Sequence, residues 1–280
     1  MGQIWQIGGH TFEWGARTYV MGILNVTPDS FSDGGKFVTL DAALRHAEQL
    51  IAAGADMIDI GGESTRPGFR PVPADEELRR VIPVIEAIRA RFSIPISIDT
   101  YKAITARQAL EAGAHIINDI WGLKADREMA AVAAQWDCPV IIMHNRKDMD
   151  YTDFVADVKR DLRQSVAIAE QAGVKRERII LDPGIGFAKN HEHNLQMMKH
   201  LAELRELGFP LLLGTSRKRF IRNTLGLPVD DVVEGTAATV VLGIAAGCDI
   251  VRVHDVKEIK RSVAMADAIV RFRENAAQPV

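Results

Sequence analysis

Seven side chains able to do polar chemistry stand at the C-terminal ends of short apolar runs: Asn25, Asp99, Asn118, His144, Asp182, Arg252 and His254. Lys218 follows a further run by a few residues. Asp99, Asn118 and Asp182 offer acceptors, and Asn118 also offers donors. A carboxylate can take two parallel N–H bonds, so this set suits a flat heterocycle with an amidine-like edge. Lys218 supplies a donor for a ring nitrogen or carbonyl oxygen. Arg66, Arg252 and His254 have no acidic run beside them in the sequence. They suit an anion, and the arginine fork favours phosphate. The expected site therefore holds a polar aromatic base at one end and phosphates at the other.

Two loops belong to the same face. Thr27-Pro28-Asp29-Ser30-Phe31-Ser32-Asp33-Gly34-Gly35 follows the first run, and Gly61-Gly62-Glu63-Ser64-Thr65-Arg66-Pro67-Gly68 follows the second. Gly, Pro, Ser and Asp make both of them turn-formers. Phe31 and Arg66 are unusual in a plain surface turn, and functional residues gather in loops carried by a rigid scaffold. We expect mobile lids that close over a substrate.

The elements that must position these groups follow from one recurring pattern: an apolar strand, a polar or glycine-rich loop, then an amphipathic helix. Strands are expected at 19–25, 56–60, 96–99, 116–119, 140–144, 179–182, 211–214 and 250–254. Near-continuous apolar runs mark parallel strands buried on both faces. Helical patterns cover 40–53, 74–91 and 155–172. Another covers 101–112, with Thr100 as its cap and Gly113 at its end. The phrase Ala53-Gly54-Ala55-Asp56 returns as Ala112-Gly113-Ala114-His115 and as Ala246-Gly247-Cys248-Asp249. Glycine after a helix takes the left-handed conformation at little cost. Repetition of this unit predicts a single (β/α)₈ barrel domain over residues 1–280. Residues 3–13, around Gly8-Gly9, read as a β-hairpin preceding it. A doubly wound sheet would need a glycine fingerprint after its first strand, and Asn25-Val26-Thr27-Pro28 is not one.

Composition narrows the setting. The chain has 280 residues, 47% of them hydrophobic and 25% charged, with a formal net charge of −3. That balance gives no global basic field for nucleic acid or anionic lipid. No apolar run is long and clean enough to span a membrane, and residues 1–14 lack the form of a secretion signal. Cys138 and Cys248 sit far apart in apolar stretches, in no metal or redox spacing, as expected of free thiols in a reducing cytosol.

The motifs resemble one family. Ile23-Leu24-Asn25-Val26-Thr27-Pro28-Asp29-Ser30-Phe31-Ser32-Asp33-Gly34-Gly35 looks like the first signature of the dihydropteroate synthases. Asp59-Ile60-Gly61-Gly62-Glu63-Ser64-Thr65-Arg66-Pro67-Gly68 looks like the second. Further matches are Ser97-Ile98-Asp99-Thr100, Ile117-Asn118-Asp119, Leu181-Asp182-Pro183-Gly184-Ile185-Gly186-Phe187, Ser216-Arg217-Lys218 and Arg252-Val253-His254-Asp255, in the family order over nearly the whole chain.

The resemblance implies that a dihydropterin pyrophosphate is joined to 4-aminobenzoate in folate biosynthesis. It marks Asp99, Lys218, Arg252 and His254 as the groups that carry catalysis. Asp99, Asn118, Met143, Asp182, Phe187, Lys218 and Arg252 would form the pterin pocket. Asn25, Arg66, Arg252 and His254 would hold the pyrophosphate, with Asn25 near a Mg²⁺ ion. Phe31, Thr65, Pro67 and Lys218 would form the 4-aminobenzoate site. Arg219 stands where some members carry a serine facing the benzoate carboxylate, and it could serve that carboxylate or point to solvent. The implied mechanism is dissociative substitution, which leaves His144 and Cys138 structural or pocket-lining. A homodimer, a cytoplasmic location and inhibition by sulfonamides are implied as well. A pterin-dependent methyltransferase or a non-catalytic pterin-binding paralogue would share Asp99, Asn118 and Asp182. The methyltransferase would not require the anion residues, and the paralogue is expected to have lost some of them.

Overall fold

A computed structural model describes residues 3–27, 36–63 and 71–272. Eight parallel strands form the barrel: β3 (Tyr19–Asn25), β4 (Met57–Gly61), β5 (Ile96–Asp99), β6 (Ile116–Asp119), β7 (Val140–Met143), β8 (Ile179–Asp182), β9 (Leu212–Leu213) and β10 (Ile250–Val253). Each strand from β3 to β8 pairs with the next, and β10 lies between β3 and β9. A parallel bridge between Leu181 and Leu211 joins β8 to the residue before β9 and closes the circle. Four of the expected strands have the observed bounds. The other four differ by one residue at one or both ends, where pairing gives way to the flanking loops.

The helices α1 (Lys36–Ala52), α2 (Ala74–Arg91), α3 (Ala103–Glu111), α4 (Met129–Trp136), α5 (Phe154–Gln171), α6 (His191–Lys199), α7 (Arg219–Leu225), α8 (Val233–Ala245) and α9 (Val256–Val270) alternate with these strands, except that α7 and α8 both lie between β9 and β10. In α5, Phe154, Val158, Leu162, Val166 and Ala169 are buried at helical spacing. Its first turn is capped by Asp153, which accepts from the amide of Ala156. Asn190 does the same for α6 through the amide of His193. The repeated glycines Gly54, Gly113 and Gly247 have φ of +97°, +111° and +92°, the left-handed closure that their position demanded. The expected cap at Thr100 is corrected. Helix α3 begins at Ala103 with Lys102 as its N-cap residue. The Thr100 hydroxyl instead accepts from the Lys102 amide, and the amide of Ala103 is satisfied by Asp126 from the next loop.

Inside the barrel, side chains alternate with period two. The lower layers are apolar: Met21, Met57, Ile116, Ile141, Ile180, Leu212 and Ile250. Strands β1 (Ile4–Ile7) and β2 (His10–Glu13) form an antiparallel hairpin turning through Gly8-Gly9. Trp5, Ile7, Phe12 and Trp14 of this hairpin region are buried in the same cluster, which plugs the N-terminal mouth. Two residues further along β4, β6, β8 and β10 the interior turns polar, with Asp59, Asn118, Asp182 and Arg252, and Asp99 ends β5 beside them. The site must therefore open at the C-terminal mouth.

Candidate functional site

A cavity of about 800 Å³ occupies that mouth. Asn25, Asp99, Asn118, Met143, Asp182, Phe187, Lys218, Arg219, Arg252 and His254 all border it, so the described residues expected to hold substrate or metal are brought together. His144 is not among its lining residues. Strand alternation explains why: Met143 faces the barrel interior, so the next side chain points the other way. His144 is fully enclosed and bonds to Asp161 and Lys189.

At the floor, Arg252 bridges two carboxylates. Its Nε donates to Asp59 Oδ2 at 2.5 Å and its Nη2 to Asp99 Oδ2 at 2.7 Å. The Asn118 amide donates to the same Asp59 oxygen at 3.0 Å. No acidic run beside Arg252 in the sequence marks these counter-ions, because they come from strands 193 and 153 residues away. Burial opposes its charge, and Asp59 and Asp99 more than offset this, so the guanidinium stays charged. Burial pushes the Asp99 carboxyl up to about 7; Arg252 pulls it down and the nearby Asp59 adds to the rise. The second oxygens of Asp59 and Asp99 are buried with no partner among the described residues. For Asp99, which borders the cavity, that leaves an acceptor for an N–H-bearing ligand.

Asp182 stands across the mouth at the end of β8. Its Oδ1 accepts the Gly184 amide at 2.7 Å. Burial raises its pKa, while Lys218 and the Gly184 N–H act to lower it. Lys218 donates to the carbonyl of Ile185, and its Nζ lies 5.0 Å from the centre of the Phe187 ring. Burial lowers the Lys218 ammonium to about 8, against the pull of Asp182. The strand-to-helix turn that carries Phe187 needs a glycine at 184. With φ at +68°, a Cβ there would sit 1.9 Å from the His144 carbonyl oxygen.

Near the rim, the Ser216 hydroxyl receives the amide of His254 at 3.2 Å and lies 3.0 Å from its ring Nδ1. Arg217 pairs with Asp255, which fixes the segment leading into Lys218. Arg219 is exposed and borders the cavity. Phe31, Thr65, Arg66 and Pro67 lie outside the described residues. Among the described residues, no group of three or more His, Cys, Asp or Glu side chains could hold a metal. No described helix is long and apolar enough to cross a membrane.

Two contributors escaped sequence reasoning. Asp59 lies in the middle of β4 rather than at its end, yet a carboxylate inside Met57-Ile58-Asp59-Ile60 is itself a signal, because a buried charge requires a partner. Lys189 is 8% exposed and borders the same cavity, but nothing local marks it.

Residues 21–254 match the pterin binding enzyme family. A dihydropteroate synthase of Clostridium beijerinckii is 56% identical, aligned over 95% of this chain and 99% of its own length. One from Bacillus subtilis is 59% identical over 91% of this chain and 89% of its own. Among solved structures, the Clostridium difficile dihydropteroate synthase crystallised in the presence of pteroic acid superposes with a TM-score of 0.92 at 53% identity, covering 93% of this chain and all of that one. The Xanthomonas albilineans enzyme with 4-aminobenzoic acid gives 0.92 at 42% identity, covering 98% and 100%. The Yersinia pestis enzyme in a sulfonamide drug complex gives 0.88 at 43%, covering 95% and 98%.

Proposed function

Because this chain belongs to the pterin-binding enzymes, and among them to the dihydropteroate synthases, we propose that its cavity joins 6-hydroxymethyl-7,8-dihydropterin pyrophosphate to 4-aminobenzoate, releasing pyrophosphate. The observation that carries this reading is the polar ring at the barrel mouth, in which Asp99, Asn118, Asp182, Lys218 and Arg252 line one cavity. Asp182 and Asn118 read the amidine edge of the pterin, with Asp99 accepting a further ring N–H. Lys218 donates to a ring acceptor. Met143 and Phe187 give the ring apolar contact. Arg252 lies against the ring and, with His254, reaches the pyrophosphate; Arg66 would join them from outside the described residues.

The carbon–oxygen bond breaks with its electron pair leaving on pyrophosphate, and the electron-rich dihydropterin stabilises the methylene cation. The amine nitrogen of 4-aminobenzoate then bonds to that carbon and loses a proton. Fixed positive groups aimed at the leaving anion stabilise this transition state more than the ground state. Asn25 offers one hard oxygen ligand at the cavity wall. Among the described residues no carboxylate cage accompanies it, which fits Mg²⁺ held largely by substrate phosphates and water. When bound, the ion supplies Lewis-acid stabilisation of the departing pyrophosphate.

Lys218 and Arg219, at the cavity rim, with Phe31, Thr65 and Pro67, would complete the 4-aminobenzoate site. Sulfonamides, which mimic that substrate, would compete there. A homodimer is supported by α8 and α9, which pack together and expose Val241, Leu242, Met265 and Ile269. The two buried free thiols fit a reducing cytoplasm. The test is a turnover assay with both substrates and Mg²⁺. Formation of dihydropteroate and pyrophosphate in equal amounts is expected; binding of pterin without pyrophosphate release would overturn the reading in favour of a non-catalytic pterin protein.

A further inference from the structure

The turn between β8 and α6 holds more of the site than the two side chains at its ends. Its backbone polar groups are taken one after another by fixed side chains. The Gly186 amide donates to Asn194 Oδ1 at 2.6 Å, and the Ala188 carbonyl accepts from the Tyr151 hydroxyl at 2.8 Å. The Ile185 carbonyl accepts from Lys218. Two more carbonyls converge on one buried ammonium: Lys189 Nζ lies 3.0 Å from Gly184 O and 3.1 Å from Phe187 O. Its third neighbour is His144 Nδ1 at 2.8 Å.

An ammonium has three donors and no acceptor, so these three acceptors match it in number. His144 must then accept at Nδ1 and donate from Nε2, which lies 3.1 Å from Asp161 Oδ2. Asp161 is also held by Arg146, at 2.5 Å from Nε. The chain Lys189–His144–Asp161–Arg146 thus runs from the cavity wall to the surface with donors and acceptors in register.

We propose that Lys189 is a positioning residue for pterin binding, a buried latch that fixes the 183–188 turn so that the Ile185 carbonyl and the Phe187 ring hold the Lys218 ammonium in place. The His144–Asp161 pair orients the latch in turn. Lys189 acts on substrate through Lys218 and Phe187 rather than by contact. This inference rests on the pterin-binding reading of the cavity given above.

The test is a double-mutant cycle on the full chain, titrating the dihydropterin pyrophosphate with Mg²⁺ by calorimetry into wild type, Lys189→Met, Lys218→Met and the double variant. Each single variant should bind about tenfold or more weakly, as expected for losing a buried hydrogen-bonded group. The double variant should bind no more weakly than the worse single, because coupled residues are not additive. A purely structural role would give independent losses, and such additivity overturns the latch. So does unchanged affinity in Lys189→Met. If Lys189→Met does not fold, His144→Phe serves instead, removing one of the three acceptors while keeping the core filled. At least about threefold weaker binding, again not additive with Lys218→Met, is expected for one lost hydrogen bond; unchanged affinity overturns the proposal. Failure of the wild type itself to bind the pterin would refute the reading of the cavity and not the latch.

Discussion

Arg252 shows how a single side chain can serve both the fold and the chemistry. It neutralises Asp59 and Asp99 on two neighbouring strands, and it borders the cavity where the anion is expected. Arg252→Ala should therefore fail twice. Loss of a donor aimed at the leaving group costs roughly 2–4 kcal/mol of transition-state stabilisation. Leaving two buried carboxylates without a counter-ion costs about 3–5 kcal/mol of folding stability. Steady-state kinetics and urea unfolding of the one variant read both losses, and near-normal kcat/KM would contradict the assignment. Asp99 carries a pH signature. Its carboxyl is raised from 3.8 to about 7 in the folded chain. At intermediate pH the folded state holds a proton that the unfolded chain has released, so stability from this group is full below 3.8 and is lost as pH rises through about 7. Melting temperature measured against pH should lose that downward component in Asp99→Asn; parallel curves for variant and wild type would contradict it. Most site residues were legible in the sequence because a polar group ending an apolar strand is conspicuous. Asp59 was hidden because its partners Arg252 and Asn118 lie 193 and 59 residues away.

At the scale of elements, the barrel strands were the most legible part, since parallel strands buried on both faces read as plain apolar runs. The hairpin was legible from its glycine pair, but its task was not. Phe12 is 1% exposed and packs against Trp14 and Tyr19 at ring-centre distances of 5.7 and 4.7 Å. Phe12→Ala should cost about 3–5 kcal/mol of stability, as a large aromatic removed from a core does. It should leave both Michaelis constants within about twofold, because the plug and the catalytic mouth are opposite ends of the barrel. Thermal denaturation and kinetics on the same preparation check the pair of outcomes; a large rise in KM with unchanged stability would contradict the division of labour. The start of α3 was illegible for a physical reason: its first amide is satisfied by Asp126, which lies 23 residues on, so no local residue announces it.

The whole molecule presents two surfaces with different work. On the flank, Leu242 of α8 and Met265 and Ile269 of α9 are each more than 60% exposed, an apolar face suited to a second copy of the chain. Leu242→Asp should convert a dimer to a monomer in light scattering; an unchanged mass would contradict that interface. At the mouth, the pterin pocket stands on strand ends and is largely formed before substrate arrives. Phe31, Thr65 and Pro67, proposed for the 4-aminobenzoate site, belong to two sequence segments whose composition offers little apolar anchoring. Arg66 shares a loop with Thr65 and Pro67, so its grip on pyrophosphate would bring those residues into place. Dihydropterin pyrophosphate and Mg²⁺ should therefore bind first and the arylamine second, at one cavity. The most direct measurement is the affinity of a sulfonamide for the protein with and without pyrophosphate and Mg²⁺. Weak binding to the protein alone is expected, and binding at least about tenfold tighter when the anion is present, a coupling of roughly 1.4 kcal/mol. Equal affinity under both conditions would mean that the arylamine site exists without the anion, and would contradict the ordered assembly.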